Sequence, residues 1–275
     1  MKHTMLTALF LTVTTGIAAQ EKGHYAEVNG LKMYYEIHGS GSPLVLLHGG
    51  GSTIESNYGR IIPLLAKNHK VIAVELQAHG HTADRNQPLS FEQDADDVAA
   101  LLKKLSITKA DIMGFSNGGT TAMQLDIRHP EVAGRLVLAS AIYSREGMFP
   151  GFFDYMKGAK FEEMPQPLKD AYLKANPGDA QGLLNMFRRD VERMVNFKDI
   201  SEESVKSIKA PVLVINGDKE AVQGAHALKL SQLIANARLI ILPCGHGDYI
   251  GEICAPKMDA AMHERVVGMI DDFLN

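Results

Sequence analysis

The chain has no long run of basic residues. Its 28 Lys and Arg stand against 32 Asp and Glu, a formal net charge of -4. That argues against nucleic acid and anionic membrane surfaces as partners. Cys and His show no metal-ligand spacing, so no metal site is expected. Internal repeats and low-complexity tracts are absent. Cysteine is scarce, with two in 275 residues. No apolar run is long enough to span a bilayer comfortably, and no stable membrane anchor is expected. What remains is a chain that is 45% hydrophobic, enough for one sizeable core and ordinary for a single α/β domain.

The first twenty residues, "MKHTMLTALFLTVTTGIAAQ", differ in kind. Lys2 and His3 open a short polar start, Met5 to Val13 is apolar, and Gly16, Ala18 and Ala19 are small. This is the layout of a secretory signal peptide, with cleavage expected between Ala18 and Glu21. The reading is residues 1–20 as signal peptide, 21–275 as the mature domain, and a periplasmic or secreted location. Export bears on Cys244 and Cys254, since oxidising compartments permit disulfides. A bridge would clip the loop "GHGDYIGEI"; the alternative is two unpaired buried thiols.

Short apolar runs bounded by turn residues recur along the chain. They are "MYYEIHG", "PLVLLHGG", "HKVIAVEL", "ADIMGF", "GRLVLAS", "APVLVINGD" and "ARLIILPCG". Near-continuous apolar strands suit a mostly parallel sheet covered on both faces. Helical segments are expected between them, at 90–105, 117–128, 225–234 and 257–274. The first opens with Ser90 and Gln93 at capping-box spacing and continues with Val98, Leu101, Leu102 and Leu105 as a stripe. Strand–helix alternation of this kind argues for a doubly wound α/β fold. Residues 142–208 interrupt it. They lack strand signals, are rich in Met, Phe and Tyr, and are cut by Pro165, Pro167 and Pro177. An insertion between two sheet strands on the ligand side is a natural helical lid, whose methionines pack it onto the domain.

The chemistry centres on "DIMGFSNGGTTA". Gly114, Ser116 and Gly118 form G-x-S-x-G between a buried strand and a helix. That junction presents a serine on a sharp, strained turn at a helix N-terminus, where partial positive charge favours a developing anion. The Asn117 backbone N–H would serve the oxyanion. A second donor is expected from "HGGG" after another buried strand: the Gly50 N–H first, Gly51 next. His48 is read as structural. His246 follows the strand "ARLIILP", where the base belongs in the chain order Ser–acid–His. The orienting acid should lie just past "APVLVING", where Asp218 and Glu220 both stand.

These motifs, "HGGGS", "GFSNGG", "INGDKE" and "GHGDYIGE", resemble those of the α/β-hydrolase superfamily in its single-domain, lidded branch. The resemblance covers nearly everything after the export segment. It implies the α/β-hydrolase fold, with the helical lid inserted before the strand that carries the catalytic acid. In that family the acid is commonly an aspartate three residues past the glycine ending its strand. Here the register falls on Glu220, a departure, with Asp218 as the alternative. The "VELQAHGHTADR" loop also matches, which implies that His79, His81 and Asp84 are scaffold and that Arg85 faces solvent rather than a substrate carboxylate. The implied activity is a cofactor-free serine hydrolase acting on a small-molecule carboxylic ester or lactone through an acyl-enzyme. Alternatives are carbon–carbon bond or amide hydrolysis on the same triad, or a non-catalytic ligand-binding protein on this scaffold. Serine at the nucleophile position argues against haloalkane dehalogenase or epoxide hydrolase chemistry.

Overall fold

The structure is a computed structural model and describes residues 23–256 and 258–275. The expected export segment lies outside them. β1 (His24–Val28) and β2 (Leu31–His38) form a hairpin, and β3 (Ser42–Leu47) follows. Two short helices, α1 (Ile54–Tyr58) and α2 (Ile62–Leu65), precede β4 (His69–Val74). Then α3 (Phe91–Lys104), β5 (Ala110–Phe115), α4 (Asn117–Arg128) and β6 (Ala133–Ala139) alternate. Helices α5 (Phe152–Gly158), α6 (Gln166–Ala175), α7 (Ala180–Val195) and α8 (Glu202–Lys206) come before β7 (Val212–Gly217). The last three elements are α9 (Gly224–Leu233), β8 (Ala237–Leu242) and α10 (Ala260–Leu274).

Among the described residues the strands form one sheet in the order β1-β2-β4-β3-β5-β6-β7-β8. β2 pairs antiparallel with β1 and with β4, and every other pairing is parallel. The central strands β3 to β7 are largely buried on both faces by simple alternation. Val45 and Leu47 of β3 enter one core with Val98 and Leu102 of α3, Met123 of α4 and Leu230 of α9. Leu44 and Leu46 enter the other, with Tyr58, Leu65, Val266 and Ile270. Strand order reverses at β3, which lies between β4 and β5. Such a switch point opens a crevice at the carboxyl ends of the parallel strands, where ligands bind in this architecture.

Several local expectations need adjusting. Ser90 does cap α3 by accepting the Gln93 N–H. The reciprocal half of the capping box is not among the hydrogen bonds of that helix, so the cap is one-sided. In the region 142–208, Pro165 caps α6 and Pro177 falls between α6 and α7, but Pro167 sits in the first turn of α6. A proline there interrupts nothing, because the missing N–H is an orphan in any case. Cys244 and Cys254 are unpaired, and neither is buried, so both readings of that pair are replaced by two accessible thiols.

Arg85 meets neither solvent nor a substrate carboxylate. Its guanidinium bonds the Asp97 carboxylate and the Gln77 amide oxygen. The two side chains are 7% and 0% exposed. Asp97 also accepts from Asn29 of the β1–β2 turn at 3.0 Å and from Gln93 at 2.9 Å. One buried carboxylate thus ties the hairpin, α3 and the loop after β4 together. Removing it leaves the guanidinium buried without a counter-charge, which costs about 3–5 kcal/mol. Asp97→Ala is therefore expected to lower unfolding free energy by that amount in urea titrations, whereas Asp96→Ala, on a half-exposed pair with Arg128, should lose about 1 kcal/mol or less.

Candidate active site

β5 delivers Ser116 through backbone contacts that admit no side chain. A Cβ on Gly118 would lie 2.0 Å from the Leu47 carbonyl oxygen, and one on Gly114 would lie 2.1 Å from the Gly118 oxygen. Only glycine fits at either position. The tight turn places Ser116 at φ 53° and ψ -119°, a region that L residues other than glycine seldom occupy. Ser116 is the N-cap of α4, so its side chain stands at the positive end of that helix. β3 runs beside β5, with Leu47 in register with Gly114. The glycine-rich loop after β3 therefore emerges next to the serine.

That loop is pinned at nearly every polar atom. His48 Nε2 accepts the Leu76 N–H at 3.1 Å, so its Nδ1–H donates to the Gly49 carbonyl at 2.7 Å. Burial, with His79 nearby, pushes the His48 imidazole down to about 3, so it is neutral and structural. The Gly49 N–H donates to Asn57 Oδ1 at 2.6 Å. The Gly51 N–H donates to Asp190 Oδ2 at 2.6 Å. This corrects the expectation for Gly51, whose N–H is already engaged by a carboxylate. The Gly50 and Asn117 N–H groups have no acceptor among the described residues, and both residues line the cavity over Ser116.

His246 lies in the loop after β8. Its ring sits 4.7 Å, centroid to centroid, from Phe115, the residue before the serine. Gly247 is held at φ 77°, and a Cβ there would meet Phe115 and Glu252. His246 Nδ1 bonds Glu220 Oε2 at 2.5 Å. A carboxylate acceptor requires the proton on Nδ1, which leaves the Nε2 lone pair free. Of the two candidate carboxylates, Glu220 is the one that meets the histidine. Asp218 is exposed, and its side chain bonds no described residue. The Glu220 side chain is fully buried. Its Oε1 accepts from the Gly217 N–H and from Ser140 Oγ at 2.9 Å. Ser140 Oγ is also 2.7 Å from the Tyr249 hydroxyl. Since the Ser140 proton goes to Glu220, Tyr249 must be the donor in that second bond. Burial, then Glu220, holds the Tyr249 hydroxyl well above its ordinary range, so it stays protonated.

A cavity of about 280 Å³ covers Ser116. Met148, Met156, Met164 and Met194 line it with Phe152 and Phe187, so these methionines shape the cavity as well as packing the helices down. Met186 instead lies in the small core between α6 and α7. The one buried charge in the lining is Asp190 of α7. Its Oδ2 also bonds His79 Nε2 at 2.8 Å, and its Oδ1 bonds Arg193 at 2.5 Å. Arg193 in turn bonds Asp94 at 2.9 Å. Burial opposes the Asp190 charge, but His79 and Arg193 outweigh it and hold the carboxyl well below the usual range. Burial likewise opposes the His79 charge, yet Asp190 keeps the imidazole above its ordinary value. Asp94 goes the other way, pushed up to about 6 by burial despite Arg193. Asp84, Asn185 and Arg189 add a second tie between α7 and the loop after β4.

Asp190, Ser140 and Tyr249 were not singled out from the sequence. For Asp190 a signal exists: it lies on the buried stripe of α7 with Leu183, Met186 and Met194, where the spacing calls for an apolar residue. Ser140 and Tyr249 carry no such mark. Among the described residues, no group of three or more His, Cys, Asp or Glu is arranged to hold a metal ion.

Comparison with known proteins adds context to this geometry. A family model described as "alpha/beta hydrolase fold" matches residues 42–193. The chain is 28% identical over 242 residues to the 2-hydroxymuconate semialdehyde hydrolase of Pseudomonas sp. (strain CF600), across 79% of this chain and 84% of that protein. A meta-cleavage product hydrolase from Pseudomonas fluorescens IP01 superposes with a TM-score of 0.74 at 24% identity, over 92% of this chain and 97% of that one. The enol-lactonase from Burkholderia xenovorans LB400 superposes with a TM-score of 0.70 at 25% identity, over 91% and 99%.

The neutral, buried His48 has a consequence for stability. Its folded pKa is about 3, against about 6.5 in the unfolded chain. Below 6.5 the unfolded state binds a proton that the folded state refuses. Stability is therefore lost as pH falls from 6.5, at up to about 1.4 kcal/mol per pH unit. His48→Gln has no such proton to refuse. In urea titrations, the stability gap between wild type and His48→Gln is expected to narrow by about 1–2 kcal/mol between pH 7 and pH 5; a constant gap would contradict this account.

Proposed function

The chain belongs to the α/β-hydrolase family, and from that premise we propose a serine hydrolase that cleaves a carboxylic ester or lactone through an acyl-enzyme. Ser116 is the nucleophile, His246 the base, and Glu220 the acid that orients the base. The observation that carries this reading is the 2.5 Å bond from a buried Glu220 to His246 Nδ1, with the His246 ring packed 4.7 Å from Phe115, the residue before a serine held at φ 53°.

The steps follow from the free valences at the site. Ser116 Oγ attacks the carbonyl carbon, and His246 Nε2 takes the hydroxyl proton. The carbonyl oxygen gains negative charge and is met by the Gly50 and Asn117 N–H groups, the two donors without an acceptor of their own. The tetrahedral adduct collapses, and the leaving alkoxide takes the proton from His246. Water then attacks the acyl-serine ester, giving its proton to His246, which returns it to Ser116 as the carboxylic acid departs. Glu220 remains ionised throughout, balancing the imidazolium that forms twice per cycle. Its other oxygen is tied by Gly217 and Ser140, so the carboxylate can approach His246 in few orientations.

Carbon–carbon bond hydrolysis is the second reading. It is favoured by the similarity to the 2-hydroxymuconate semialdehyde hydrolase. The enol-lactonase likeness fits the ester reading, and both chemistries begin with attack on a carbonyl carbon. The layout of residues 1–20 adds the proposal that the protein acts after export. The mass of protein recovered from the periplasm or medium should then correspond to a chain starting within 19–21.

A fluorophosphonate probe is expected to label wild type and not Ser116→Ala. A folded wild type that does not label would sink the enzymatic reading in favour of a binding protein. Ester turnover should fall by about four to six orders of magnitude in Ser116→Ala and by about 10⁴ in Glu220→Gln. Asp218→Asn, a surface change, should stay within about threefold of wild type. Loss in Asp218→Asn rather than Glu220→Gln would reassign the acid. Faster turnover of a 2-hydroxy-6-oxo-2,4-dienoate than of any ester would move the assignment to carbon–carbon cleavage.

A further inference from the structure

We propose that the cavity over Ser116 selects an uncharged, apolar acyl group and rejects a carboxylate-bearing one, with Asp190 as the specificity-determining residue. The inference rests on the ester-hydrolase reading and names the substrate class for that site.

The walls carry the first part of the argument. Away from the serine and the two N–H donors, the lining is mainly thioether, phenyl and aliphatic carbon, from Met148, Met156, Met164, Met194, Phe152 and Phe187 among others. An acyl chain placed there exchanges water for apolar contact, worth roughly 0.8 kcal/mol for each buried methylene. A carboxylate placed there loses its hydration and needs a cationic or hydrogen-bonding partner in return. Among the described residues the lining offers it no buried cation, and its one side-chain amide, Asn117, sits at the serine end against Gly50 and Asp190. Lys160 is the one cation in the lining, and it is exposed at the rim beside the equally exposed Glu163. Arg193 and His79 are buried behind Asp190, at 3% and 0% exposure. Arg189 is taken by Asp84.

The position of Asp190 carries the second part. Its Oδ2 lies 3.4 Å from where a Cβ on Gly50 would be. An acyl group on Ser116 with its oxygen at the Gly50 N–H therefore sits against this carboxylate. A second anion in the same cavity meets a like charge in a setting that screens it poorly. The same geometry argues against a cationic acyl group. A cation loses its hydration there as well, and both Asp190 oxygens are already bonded, Oδ2 by Gly51 and His79 and Oδ1 by Arg193, so it gains no open carboxylate oxygen in return.

The test compares three para-nitrophenyl esters of one chain length: the hexanoate, the mono-adipate anion and the ω-trimethylammonio hexanoate. In wild type the hexanoate should exceed each charged ester by about 10²-fold in kcat/KM. Asp190→Asn keeps an acceptor for the Gly51 N–H and removes the charge. Val191→Lys leaves Asp190 in place and adds a cation to the cavity wall, where Val191 lies. Each is expected to raise the adipate-to-hexanoate ratio by about tenfold or more. Should Asp190→Asn fail to fold, Val191→Lys and the wild-type comparison carry the test. Adipate turned over as well as hexanoate by wild type overturns the proposal, as does a trimethylammonio ester that outruns both. Ratios unmoved in folded variants overturn the role of Asp190. A folded wild type that is labelled at Ser116 but hydrolyses none of the three esters instead overturns the ester reading beneath it.

Discussion

Leu47 and Gly118 approach so closely that the carbonyl oxygen of one occupies the place of a side chain on the other. The fully buried Tyr58 hydroxyl donates to the same Leu47 oxygen at 2.8 Å, so that carbonyl is satisfied from the far side. The contact sets the distance between the start of α4 and the end of β3. Two loops that come from sequence positions about seventy residues apart therefore open side by side, one with Ser116 and Asn117 and the other with Gly50. A methyl group at residue 118 would push them apart. The convergence of the two free N–H groups depends on that space staying closed, as does the left-handed turn at Ser116. The strain of that turn is carried by the parallel centre of the sheet, whose strands pack into cores on both faces.

Charge is used differently on the two sides of the site. On the histidine side, one carboxylate serves one imidazole. Tyr249 and Ser140 hold Glu220 through hydroxyl groups that bring no net charge, so Glu220 faces His246 as the sole anion bonded to it. On the lid side, Asp190, Arg193, His79 and Asp94 form a buried network. Networks of this kind seldom add net stability, since desolvation offsets much of the attraction. What this one does is fix geometry. It runs from α7, within the helical region between β6 and β7, to the Gly51 N–H and to the loop after β4. The covering helices and the glycine-rich loop after β3 are thus referenced to each other through a single side chain.

The legibility of these features follows from their range. Seven strands stand out in the sequence as apolar runs, nearly continuous where burial on both faces is complete, as in β5 and β7. β1 does not, because "HYAEV" belongs to an edge strand with mostly exposed residues. The mark of β1 is instead the Asn29-Gly30 pair that turns it into β2, a hairpin signal; both residues have positive φ. α1 and α2, at five and four residues, are shorter than any periodicity can register. The tight turn at Ser116 and the register that brings Glu220 to His246 were readable because spacing along one segment determines them. The tie of Arg85 to Asp97 was not, since the loop motif alone does not reveal that α3 returns to cover the guanidinium. The Gly51 donor failed for the same reason: its partner, Asp190, is 139 residues away.

The likeness to hydrolases of quite different substrates can now be given a physical basis. The parts shared across such a family are the ones local sequence spacing dictates: the serine turn, the glycine loop and the histidine after the last strand. Nothing in them senses the far end of a substrate. That end meets α5, α6 and α7, which pack against the domain through their own small cores and can vary without disturbing the sheet. A single lid position on a buried stripe then has unusual leverage. It touches the glycine-rich loop and the cavity over Ser116 at once, so a charge placed there acts on both. In this chain the position holds a carboxylate whose hydrogen bonds are already used within the protein. The cavity over Ser116 thereby combines apolar walls with one buried carboxylate, while its other charges, Lys160 and Glu163, are exposed.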